Sequence, residues 1–336
     1  MGLEAWLNRN WYGEGRGTLL LLPLEWLYRA VVALRSWLYR RGILKSGRPD
    51  VRVVVVGNLT AGGAGKTPLV IYLAERLVAL GRRPGVASRG YGGSTGPVPS
   101  QVDADSRAEE VGDEPLLIAR RTGVPVAVCR ERRAAAEVLA AAGVDLVLCD
   151  DGLQHYALGR DVELAVVDGE RGLGNGRLLP VGPLREPRRR LDSVDLVIRN
   201  GGQPVGAELG MRLAAGELVN LADGGRRSLS SMAGERVHAV AGIGHPERFF
   251  ATLEAAGLTV IRHPLPDHGA FDVGRLAPDD GLPVLMTEKD AVKCAAPASD
   301  RLWYLPVDAV FDDEDAARLL QAVLGEAPPA TGTQDG

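Results

Sequence analysis

Short apolar runs alternate with amphipathic helical patterns along the chain after Pro49. The apolar runs are four to six residues long and nearly continuous, which is typical of parallel strands buried on both faces. We predict strands at residues 51–56, 84–87, 124–129, 146–149, 162–167 and 194–198, and helices at about 67–80, 113–121 and 131–142. This alternation predicts an α/β fold with a mostly parallel sheet and helices on both faces. Ligands of such folds bind beyond the carboxyl ends of the strands, so the loops there should carry the chemistry.

Residues 200–204, with the sequence Asn-Gly-Gly-Gln-Pro, interrupt this pattern. A second set of segments follows, with predicted strands at 211–213, 237–242, 259–261 and 282–286 and a helix at about 246–256. We therefore predict an N-terminal region over residues 1–48, a main α/β core over 49–203 and a smaller C-terminal α/β domain over 204–325. The tail at 326–336 is rich in Ala, Pro, Gly and Thr, and we expect it to be disordered.

The first 48 residues differ in composition from the rest of the chain. They contain eight Lys or Arg residues and three Glu residues, a net charge of +5, together with four of the five tryptophans. The apolar stretch at 18–27 is interrupted by Pro23 and Glu25 and falls short of the roughly 20 apolar residues that a transmembrane helix needs, so we do not expect it to span a bilayer. Aromatic side chains beside cations suit a membrane interface. A helix packed on the protein's own core uses the same residue types, so both interpretations stay open.

The composition is that of a globular protein of 336 residues, of which 46% are hydrophobic. The overall net charge of -4 leaves -9 after residue 48, which excludes a basic surface of the kind that binds nucleic acid. Cys129, Cys149 and Cys294 show no paired spacing. This argues against a disulfide framework or a zinc site and favours a reducing, cytoplasmic compartment.

The segment 57–68, which we call the phosphate loop, has the sequence GNLTAGGAGKTP between a predicted strand and a predicted helix. In this context, backbone N–H groups of small residues surround phosphate oxygens, Lys66 supplies a cation for the β- and γ-phosphates, and the Thr67 hydroxyl can bind magnesium. The loop is a variant, because Thr60 stands where the usual pattern has glycine. The predicted nucleotide-binding residues are Thr60, Gly62, Gly63, Ala64, Gly65, Lys66 and Thr67.

Two carboxylates, Asp150 and Asp151, follow the apolar run 146–149. In a P-loop fold such a strand lies beside the loop, and its terminal aspartate holds magnesium directly or through water. A strand-end aspartate is also a common turn residue, but a pair downstream of a phosphate loop favours the metal role. We predict a Mg²⁺ site at Thr67, Asp150 and Asp151, with Asp150 as the first choice.

Three further polar sites are ambiguous. Asp113, in the sequence Gly-Asp-Glu-Pro, is better explained from the residues alone as ordinary helix initiation than as a catalytic carboxylate. His268 follows Asp267; such a loop pair is usually solvated, although a carboxylate and an imidazole that meet across a cleft can deprotonate an alcohol. The segment 172–190 is rich in Pro, Gly and Arg, so its arginines are either solvated or paired with an anionic substrate group.

Taken together, these stretches resemble the tetraacyldisaccharide 4'-kinase family of lipid A biosynthesis. The motifs that carry the likeness are, in chain order, the phosphate loop, Ser88-Arg89-Gly90-Tyr91-Gly92, Gly112-Asp113-Glu114-Pro115, Asp150-Asp151-Gly152-Leu153-Gln154-His155, Gly174-Asn175-Gly176, residues 178–187, Ala241-Gly242-Ile243-Gly244 with Pro246-Glu247-Arg248-Phe249-Phe250, Asp267-His268, and Thr287-Glu288-Lys289-Asp290-Ala291-Val292-Lys293. A phosphate loop alone is shared by many proteins, whereas this ordered set is specific.

The resemblance implies a P-loop NTPase-like fold and an ATP-dependent kinase. Its reaction would transfer the γ-phosphate to the 4'-hydroxyl of an acylated glucosamine disaccharide 1-phosphate to form lipid IVA, with ATP and Mg²⁺ as cofactors. It further implies a peripheral or monotopic position on the cytoplasmic face of a Gram-negative inner membrane, where the N-terminal region would dock, with no obligate protein partner. Asp113 is associated with general-base work supported by His268, and Lys66 with catalysis. The expected substrate-binding residues are Arg89, Arg185 and Glu186.

Two alternatives are kept. A membrane-associated ATPase switch of the ParA/MinD kind would also combine a variant glycine loop with an amphipathic helix, but Ala61 occupies the position of the signature lysine of that group. A soluble small-molecule kinase would instead pack the N-terminal helix on its own core. The first would turn over ATP without acylated disaccharide, and the second would be active without lipid or detergent.

Overall fold

The computed structural model describes residues 3–13, 15–266, 280–294 and 299–325. Its strands are β1 (Arg52–Gly57), β2 (Pro84–Ser88), β3 (Ser100–Val102), β4 (Val126–Val128), β5 (Leu146–Asp150), β6 (Val162–Asp168), β7 (Leu196–Asn200), β8 (Leu209–Ala215), β9 (Leu218–Asn220), β10 (Arg226–Arg227), β11 (Arg236–Ala241), β12 (Thr259–Pro264), β13 (Val284–Thr287), β14 (Leu302–Leu305) and β15 (Val307–Val310). Its α-helices are α1 (Leu3–Tyr12), α2 (Leu22–Arg40), α3 (Lys66–Ala79), α4 (Ala108–Val111), α5 (Asp113–Thr122), α6 (Arg132–Ala141), α7 (Pro246–Ala255), α8 (Glu288–Ala291) and α9 (Asp313–Leu324). Short 3₁₀ helices occupy Gly17–Leu21, Arg188–Ser193 and Leu229–Met232.

The larger sheet has nine strands in the order β15-β8-β7-β6-β1-β5-β2-β4-β3. Its neighbouring strands are parallel except for the pairs β15 with β8 and β3 with β4. β1 lies between β5 and β6, with Val54 opposite Leu148 on one side and Val162 on the other. The carboxyl ends of these three strands therefore meet at one edge of the sheet, which is where ligands of α/β folds bind.

Alternate residues of β1 pack against different layers. Val54 and Val56 belong to a core shared with α3 and α5, whereas Val53 and Val55 belong to a core shared with α6. All four side chains are fully buried. Successive residues of a strand point to opposite faces, so a strand covered on both faces must be apolar at every position. The predicted mostly parallel sheet with helices on both faces is confirmed.

The smaller sheet has six strands in the order β10-β9-β14-β13-β11-β12. Strands β12, β11, β13 and β14 run parallel, and β9 pairs antiparallel with β14. Phe250 and Leu253 of α7 pack on this sheet beside Val237 and Ala239 of β11. We call this sheet, with α7 and α8, the second unit.

The predicted boundary after residue 203 does not coincide with the division between the sheets. The predicted strand at 211–213 is part of β8, which pairs with β7 in the larger sheet, and β15 returns from the second unit to pair with β8. The physical reason is burial, because Leu209 and Met211 are enclosed in the core of the larger sheet. Leu319 and Val323 of α9 complete the same core.

Helix α2 packs on a loop of the larger unit through one face. Glu25 is fully buried and accepts hydrogen bonds from Arg29 Nη2 (2.7 Å), Arg177 Nη1 (3.1 Å) and the N–H of Leu178 (3.2 Å). One turn further on, the Tyr28 hydroxyl donates to the carbonyl of Arg185 at 3.0 Å. Glu25, which interrupts the apolar pattern in the sequence, is therefore the residue that anchors the helix.

The opposite face of α2 and of the preceding 3₁₀ helix is apolar and exposed. Leu20, Trp26 and Leu27 are 87%, 67% and 63% exposed. By length and composition alone, the helical stretch Gly17–Arg40 could cross a membrane. The sequence-based expectation differs, because it considered only the shorter apolar run at 18–27. The contacts of this stretch, however, extend from Glu25 to Tyr39, whose ring lies 5.6 Å from that of Tyr156. About 21 Å of helix thus lies along the protein surface.

Candidate functional site

The phosphate loop enters α3 in a backbone conformation that favours glycine. Gly65 precedes the helix with φ +97°, and Gly62 has φ +96°. A Cβ atom at residue 65 would also lie 2.4 Å from Asn200 Nδ2. The loop therefore leads directly to the N-terminus of a 14-residue helix, where free N–H groups and the helix dipole favour anions.

Asn58 is a buried side chain that supports the loop from the end of β1. Its amide donates to the carbonyls of Thr60 (2.9 Å) and Gly62 (3.2 Å). Its Oδ1 accepts a hydrogen bond from Lys66 Nζ at 3.1 Å. The Asn58 side chain therefore fixes both the course of the loop and the position of Lys66.

Asp150 is the last residue of β5 and Asp151 follows it, beside the phosphate loop. Lys66 Nζ lies 3.5 Å from Asp151 Oδ1, and Arg185 Nη1 donates to both carboxylate oxygens of Asp151 at 3.0 Å. Asp151 adopts a positive φ of +47°, which is uncommon for a residue with a side chain. Asp150 is buried, and neither of its carboxylate oxygens has a hydrogen-bond partner among the described residues.

The pKa values of these two carboxyl groups shift in opposite directions. Burial, together with the negative charge of Glu114, raises the pKa of Asp150 well above its usual value. Burial also acts on Asp151, but the positive charges of Lys66 and Arg185 outweigh it and lower the pKa of that group. A buried carboxylate without partners beside an ionised one is an arrangement that a bound cation would stabilise.

Residues 178–187, which we call the docking segment, pair with the phosphate loop in the manner of an antiparallel strand. The N–H of Ala61 donates to the carbonyl of Pro183, and the N–H of Arg185 donates to the carbonyl of Leu59, both at 2.7 Å. The Arg185 side chain is thereby placed against Asp151. The prolines and glycines that prevent regular structure in this segment leave it free to follow the loop.

Glu186 of the docking segment is buried and already engaged by protein groups. It accepts hydrogen bonds from Gln154 Nε2 at 3.0 Å and from the Tyr156 hydroxyl. Gln154 Nε2 also donates to the carbonyl of Asn58 at 3.1 Å. Glu186 therefore links the docking segment to the segment that follows Asp151.

Asp113 begins α5, and its buried carboxylate lies among charged groups. Its Oδ1 accepts a hydrogen bond from the N–H of Glu114 at 2.9 Å, as expected of a carboxylate at a helix N-terminus. Lys293 Nζ and Lys289 Nζ lie 3.6 Å and 4.0 Å from its Oδ2. Both lysines belong to the second unit, so Asp113 lies where the two units meet.

A cleft of about 1390 Å³ lies between the phosphate loop, the second unit and the N-terminal helices. Its lining includes residues 61–67, Asp150 and Asp151. The lining arginines are Arg35, Arg89, Arg130, Arg132, Arg171, Arg185 and Arg248. The apolar side chains at the junction of α3, β8 and the second unit are Ile71, Leu213, Ile243, Leu305 and Val307. The cleft can therefore receive an anionic group at one place and an apolar one at another.

The chain is similar over most of its length to proteins of one family. The family described as Tetraacyldisaccharide-1-P 4'-kinase matches residues 17–325. The tetraacyldisaccharide 4'-kinase of Alkalilimnicola ehrlichii is 55% identical over 306 residues, which cover 90% of this chain and 91% of that protein. The enzyme of the same name from Ectopseudomonas mendocina is 50% identical over 324 residues, which cover 94% and 97%. The chain belongs to the tetraacyldisaccharide 4'-kinase family.

A solved structure of the kinase family agrees with this assignment. LpxK from Aquifex aeolicus, described as an "apo" form in complex with ATP, matches with a TM-score of 0.75 and 28% identity. The match covers 91% of this chain and 99% of that chain. The family and the fold that the sequence motifs predict are thus confirmed, and the ParA/MinD-like switch is not favoured.

In the present chain, most of the predicted site residues lie in one cleft. Those that line it are Gly62, Gly63, Ala64, Gly65, Lys66, Thr67, Asp150, Asp151, Arg89, Arg185 and Glu186. Thr60 is buried outside the lining, and Asp113 is absent from the lining although its neighbours Glu114 and Lys289 belong to it. His268 lies outside the described residues. Over the described parts of the chain, no group of three or more His, Cys, Asp or Glu side chains is arranged to hold a metal ion.

Asn58, Arg132 and Asn200 hold the kinase site in shape but are not among the predicted site residues. Arg132 Nη2 donates to the carbonyl of Asp151 at 2.9 Å, and Asn200 Nδ2 donates to the carbonyl of Ala64 at 3.0 Å. Asn58 could have been noticed as a polar residue between an apolar strand and the loop. Arg132 and Asn200 lie far from the loop in the sequence, and no local pattern marks them.

We expect Lys66→Ala and Thr67→Ala each to reduce phosphate transfer by about a hundredfold or more, because they remove a charge and a hydroxyl at the transferred phosphates. The thermal transition should change little, since neither side chain belongs to the hydrophobic core. Thr259→Ala, at an exposed position in β12, serves as the control. Near-normal turnover in either loop variant would remove the phosphate loop from the mechanism.

Proposed function

We propose that this chain is an ATP-dependent kinase that phosphorylates the 4'-hydroxyl of tetraacyldisaccharide 1-phosphate to form lipid IVA. The observation that carries the proposal is the family match over residues 17–325, combined with a phosphate loop that opens into an arginine-lined cleft. The apolar Leu7, Val31 and Val32 of the N-terminal helices line the same cleft. A lipid that carries both acyl chains and a phosphate requires this combination of surfaces.

Phosphoryl transfer depends chiefly on alignment and on neutralisation of charge. In the proposed complex, the N–H groups of the phosphate loop and Lys66 bind the β- and γ-phosphates of ATP. The lysine is held at the mouth of the loop by Asn58 and Asp151, so its charge is already in place. The loop and its lysine are therefore organised for the nucleotide.

Mg²⁺ fits the carboxylate side of this site. Asp150 has two buried oxygens without hydrogen-bond partners in the described structure, and Asp151 is ionised between Lys66 and Arg185. Mg²⁺ in kinases is typically bound by one or two carboxylates together with substrate phosphates, which agrees with the small number of protein ligands. Thr67, Asp150 and Asp151 would hold the ion, which would neutralise the β- and γ-phosphates.

Asp113 is the proposed general base for the 4'-hydroxyl, and His268 supports it. The carboxylate of Asp113 is fixed by the N–H of Glu114. Lys289 and Lys293, which pair more closely with Glu114 and Asp290, lie 4.0 Å and 3.6 Å from it and add positive charge beside it. These lysines and His268 all come from the part of the sequence that forms the second unit. The acid-base group would thus be complete only when the two units close, which limits hydrolysis of ATP without an acceptor.

Arg89 and Arg185 are proposed to bind the lipid substrate. Arg89 is exposed in the cleft lining, and Arg185, which also lines the cleft, belongs to the docking segment and is paired with Asp151. Guanidinium groups bind phosphate through paired hydrogen bonds, which suits the anionic 1-phosphate. Because its carboxylate is bound to Gln154 and Tyr156, Glu186 would act on the substrate by holding these two side chains.

The N-terminal region is proposed to lie in the interface of the inner membrane on its cytoplasmic side. The exposed apolar face of α2 carries Trp26 and Trp37, which suit the headgroup level. The net charge of +5 over the first 48 residues favours anionic lipids. The acyl chains of the substrate can then stay in the bilayer while the sugar enters the cleft.

The direct test of the proposed function is transfer of label from γ-labelled ATP to acylated disaccharide 1-phosphate in mixed micelles. We expect label in the lipid product, with ATP turnover dependent on the added lipid. Label released only as inorganic phosphate, independent of lipid, would indicate an ATPase switch. Label found only in a water-soluble acceptor from a cell extract would indicate a soluble small-molecule kinase.

If Asp113 and His268 act as one unit, their effects on transfer should not multiply. Each single alanine variant should lose about 10²- to 10⁴-fold in kcat, the usual contribution of general acid-base catalysis. The double variant Asp113→Ala/His268→Ala should lose little more than the worse single variant. Asp103→Ala, at an exposed position, is the control. Fully multiplicative losses would mean that the two residues work independently.

Deletion of residues 1–40 should release the protein from anionic vesicles and raise the KM for lipid more than that for ATP. Each Lys or Arg near such a surface contributes about 1 kcal/mol, and added salt should weaken the binding. Because the deletion also removes Glu25 from its contacts with Arg177 and Leu178, its folding must be checked by the thermal transition.

A second variant avoids this difficulty. Leu20→Gln/Leu27→Gln/Leu34→Gln alters only exposed side chains outside the cleft and leaves Glu25 in place. We expect the same loss of vesicle binding with an unchanged thermal transition. If the folded triple variant still sediments with anionic vesicles as the full chain does, the membrane proposal is wrong and the helix is structural.

A further inference from the structure

Arg171 joins four parts of the molecule beside the phosphate loop. Its Nη2 donates to the carbonyl of Gly63 at 2.6 Å, its Nη1 to the carbonyl of Gly244 at 3.2 Å, and its Nε to Asp168 Oδ2 at 3.2 Å. The guanidinium also lies 5.0 Å from the centroid of the Tyr12 ring. One side chain, 13% exposed, therefore contacts the phosphate loop, the second unit, the end of β6 and α1.

Three consecutive carbonyl groups of the phosphate loop are each held by a side-chain donor. The pairs are Asn58 with Gly62 (3.2 Å), Arg171 with Gly63 (2.6 Å) and Asn200 with Ala64 (3.0 Å). A peptide group is planar and trans, so the direction of its carbonyl fixes the direction of the N–H of the next residue. These side chains thus set the orientation of the N–H groups of residues 63, 64 and 65, which is how preorganised anion sites are built.

Among these three donors, Arg171 differs in what else it contacts. Asn58 and Asn200 belong to the larger sheet, immediately after β1 and at the end of β7. Arg171 also bonds Gly244 of the second unit, which approaches the loop so closely that a Cβ at residue 244 would lie 2.4 Å from the N atom of Gly63. Arg248 of α7 donates to Asp168 at 3.2 Å and so strengthens the same junction.

We propose that Arg171 is a positioning residue. It couples the orientation of the Gly63–Ala64 peptide to the positions of the second unit and of α1 relative to the phosphate loop. The guanidinium is a rigid plane, so displacement of Gly244 or Tyr12 moves the donor that holds Gly63. The affinity for ATP then depends on the placement of both neighbouring parts. This inference rests on the proposed function, because it takes the phosphate loop as the ATP site.

The first test compares Arg171→Lys with a matched control. Lysine keeps the charge, but its three N–H donors radiate from one atom, whereas Gly63, Gly244 and Asp168 are bonded by three separate nitrogens of the guanidinium plane. We expect the Kd and KM for ATP to rise about tenfold or more, while kcat at saturating ATP and the KM for lipid stay near those of the native protein. Arg199→Lys is the control, because Arg199 is 17% exposed, is paired with Glu208 and lies outside the cleft lining. It should retain the native Kd for ATP.

The second test addresses coupling to α1. Tyr12→Leu removes the ring beside Arg171 and should raise the Kd for ATP about threefold, the size of a modest cation–π contact. Tyr12→Phe keeps the ring and loses only the hydroxyl, whose hydrogen bond to the carbonyl of Ala61 is long at 3.4 Å, so its Kd for ATP should rise less than that of Tyr12→Leu. In the Arg171→Lys background, Tyr12→Leu should have no further effect, since coupled residues are not additive.

Native ATP affinity in a folded Arg171→Lys protein, or an equal rise of Kd in Arg199→Lys, would overturn the positioning role. Fully additive effects of Tyr12→Leu and Arg171→Lys would overturn the coupling to α1. Lys66→Ala in the same binding assay separates this inference from the proposed function. If Lys66→Ala loses affinity for ATP and Arg171→Lys does not, only the positioning role of Arg171 is wrong. If neither variant loses affinity for ATP, the assignment of the phosphate loop as the ATP site is wrong as well.

Discussion

The pairing between the phosphate loop and the docking segment is the contact on which the rest of the site depends. Two backbone hydrogen bonds of 2.7 Å, from Ala61 to Pro183 and from Arg185 to Leu59, align the two chains. This alignment lets the Arg185 side chain reach Asp151. The backbone carbonyl of Arg185 accepts a hydrogen bond from the hydroxyl of Tyr28 in α2. The nucleotide loop, the carboxylates and the N-terminal helices are therefore positioned by one segment that has no regular secondary structure.

The buried carboxylates around this segment differ in whether they have hydrogen-bond donors. Glu25, Asp168 and Glu186 are buried, and each is satisfied by arginine, backbone or side-chain donors. Asp150 is equally buried but has no such donors in the described structure, and its pKa is raised by burial. Buried carboxylates are normally paired, so a group that departs from this rule beside a phosphate loop marks the place where a cation is expected.

The sequence was sufficient for features that depend on local order and insufficient for those that depend on distant pairing. The strand, glycine loop and helix around Lys66 are contiguous. The carboxylates at the end of β5 were predictable because ligands of parallel sheets bind at the carboxyl ends of the strands. The apolar run at 211–213 does not reveal which sheet it joins, and Pro306 alone separates β14 from β15, which lie in different sheets. Arg171 likewise gains its role only when four separate segments meet.

Native-state hydrogen exchange tests most directly whether the phosphate loop, the docking segment and α2 form one cooperative unit. The informative amides are those of Ala61, Arg185 and Leu178, which donate to Pro183, Leu59 and Glu25. Amides of one cooperative unit open with the same free energy. We expect equal opening free energies for all three amides and a common decrease of these free energies in Glu25→Ala. An Ala61 amide that stays protected while those of Arg185 and Leu178 exchange freely would contradict it.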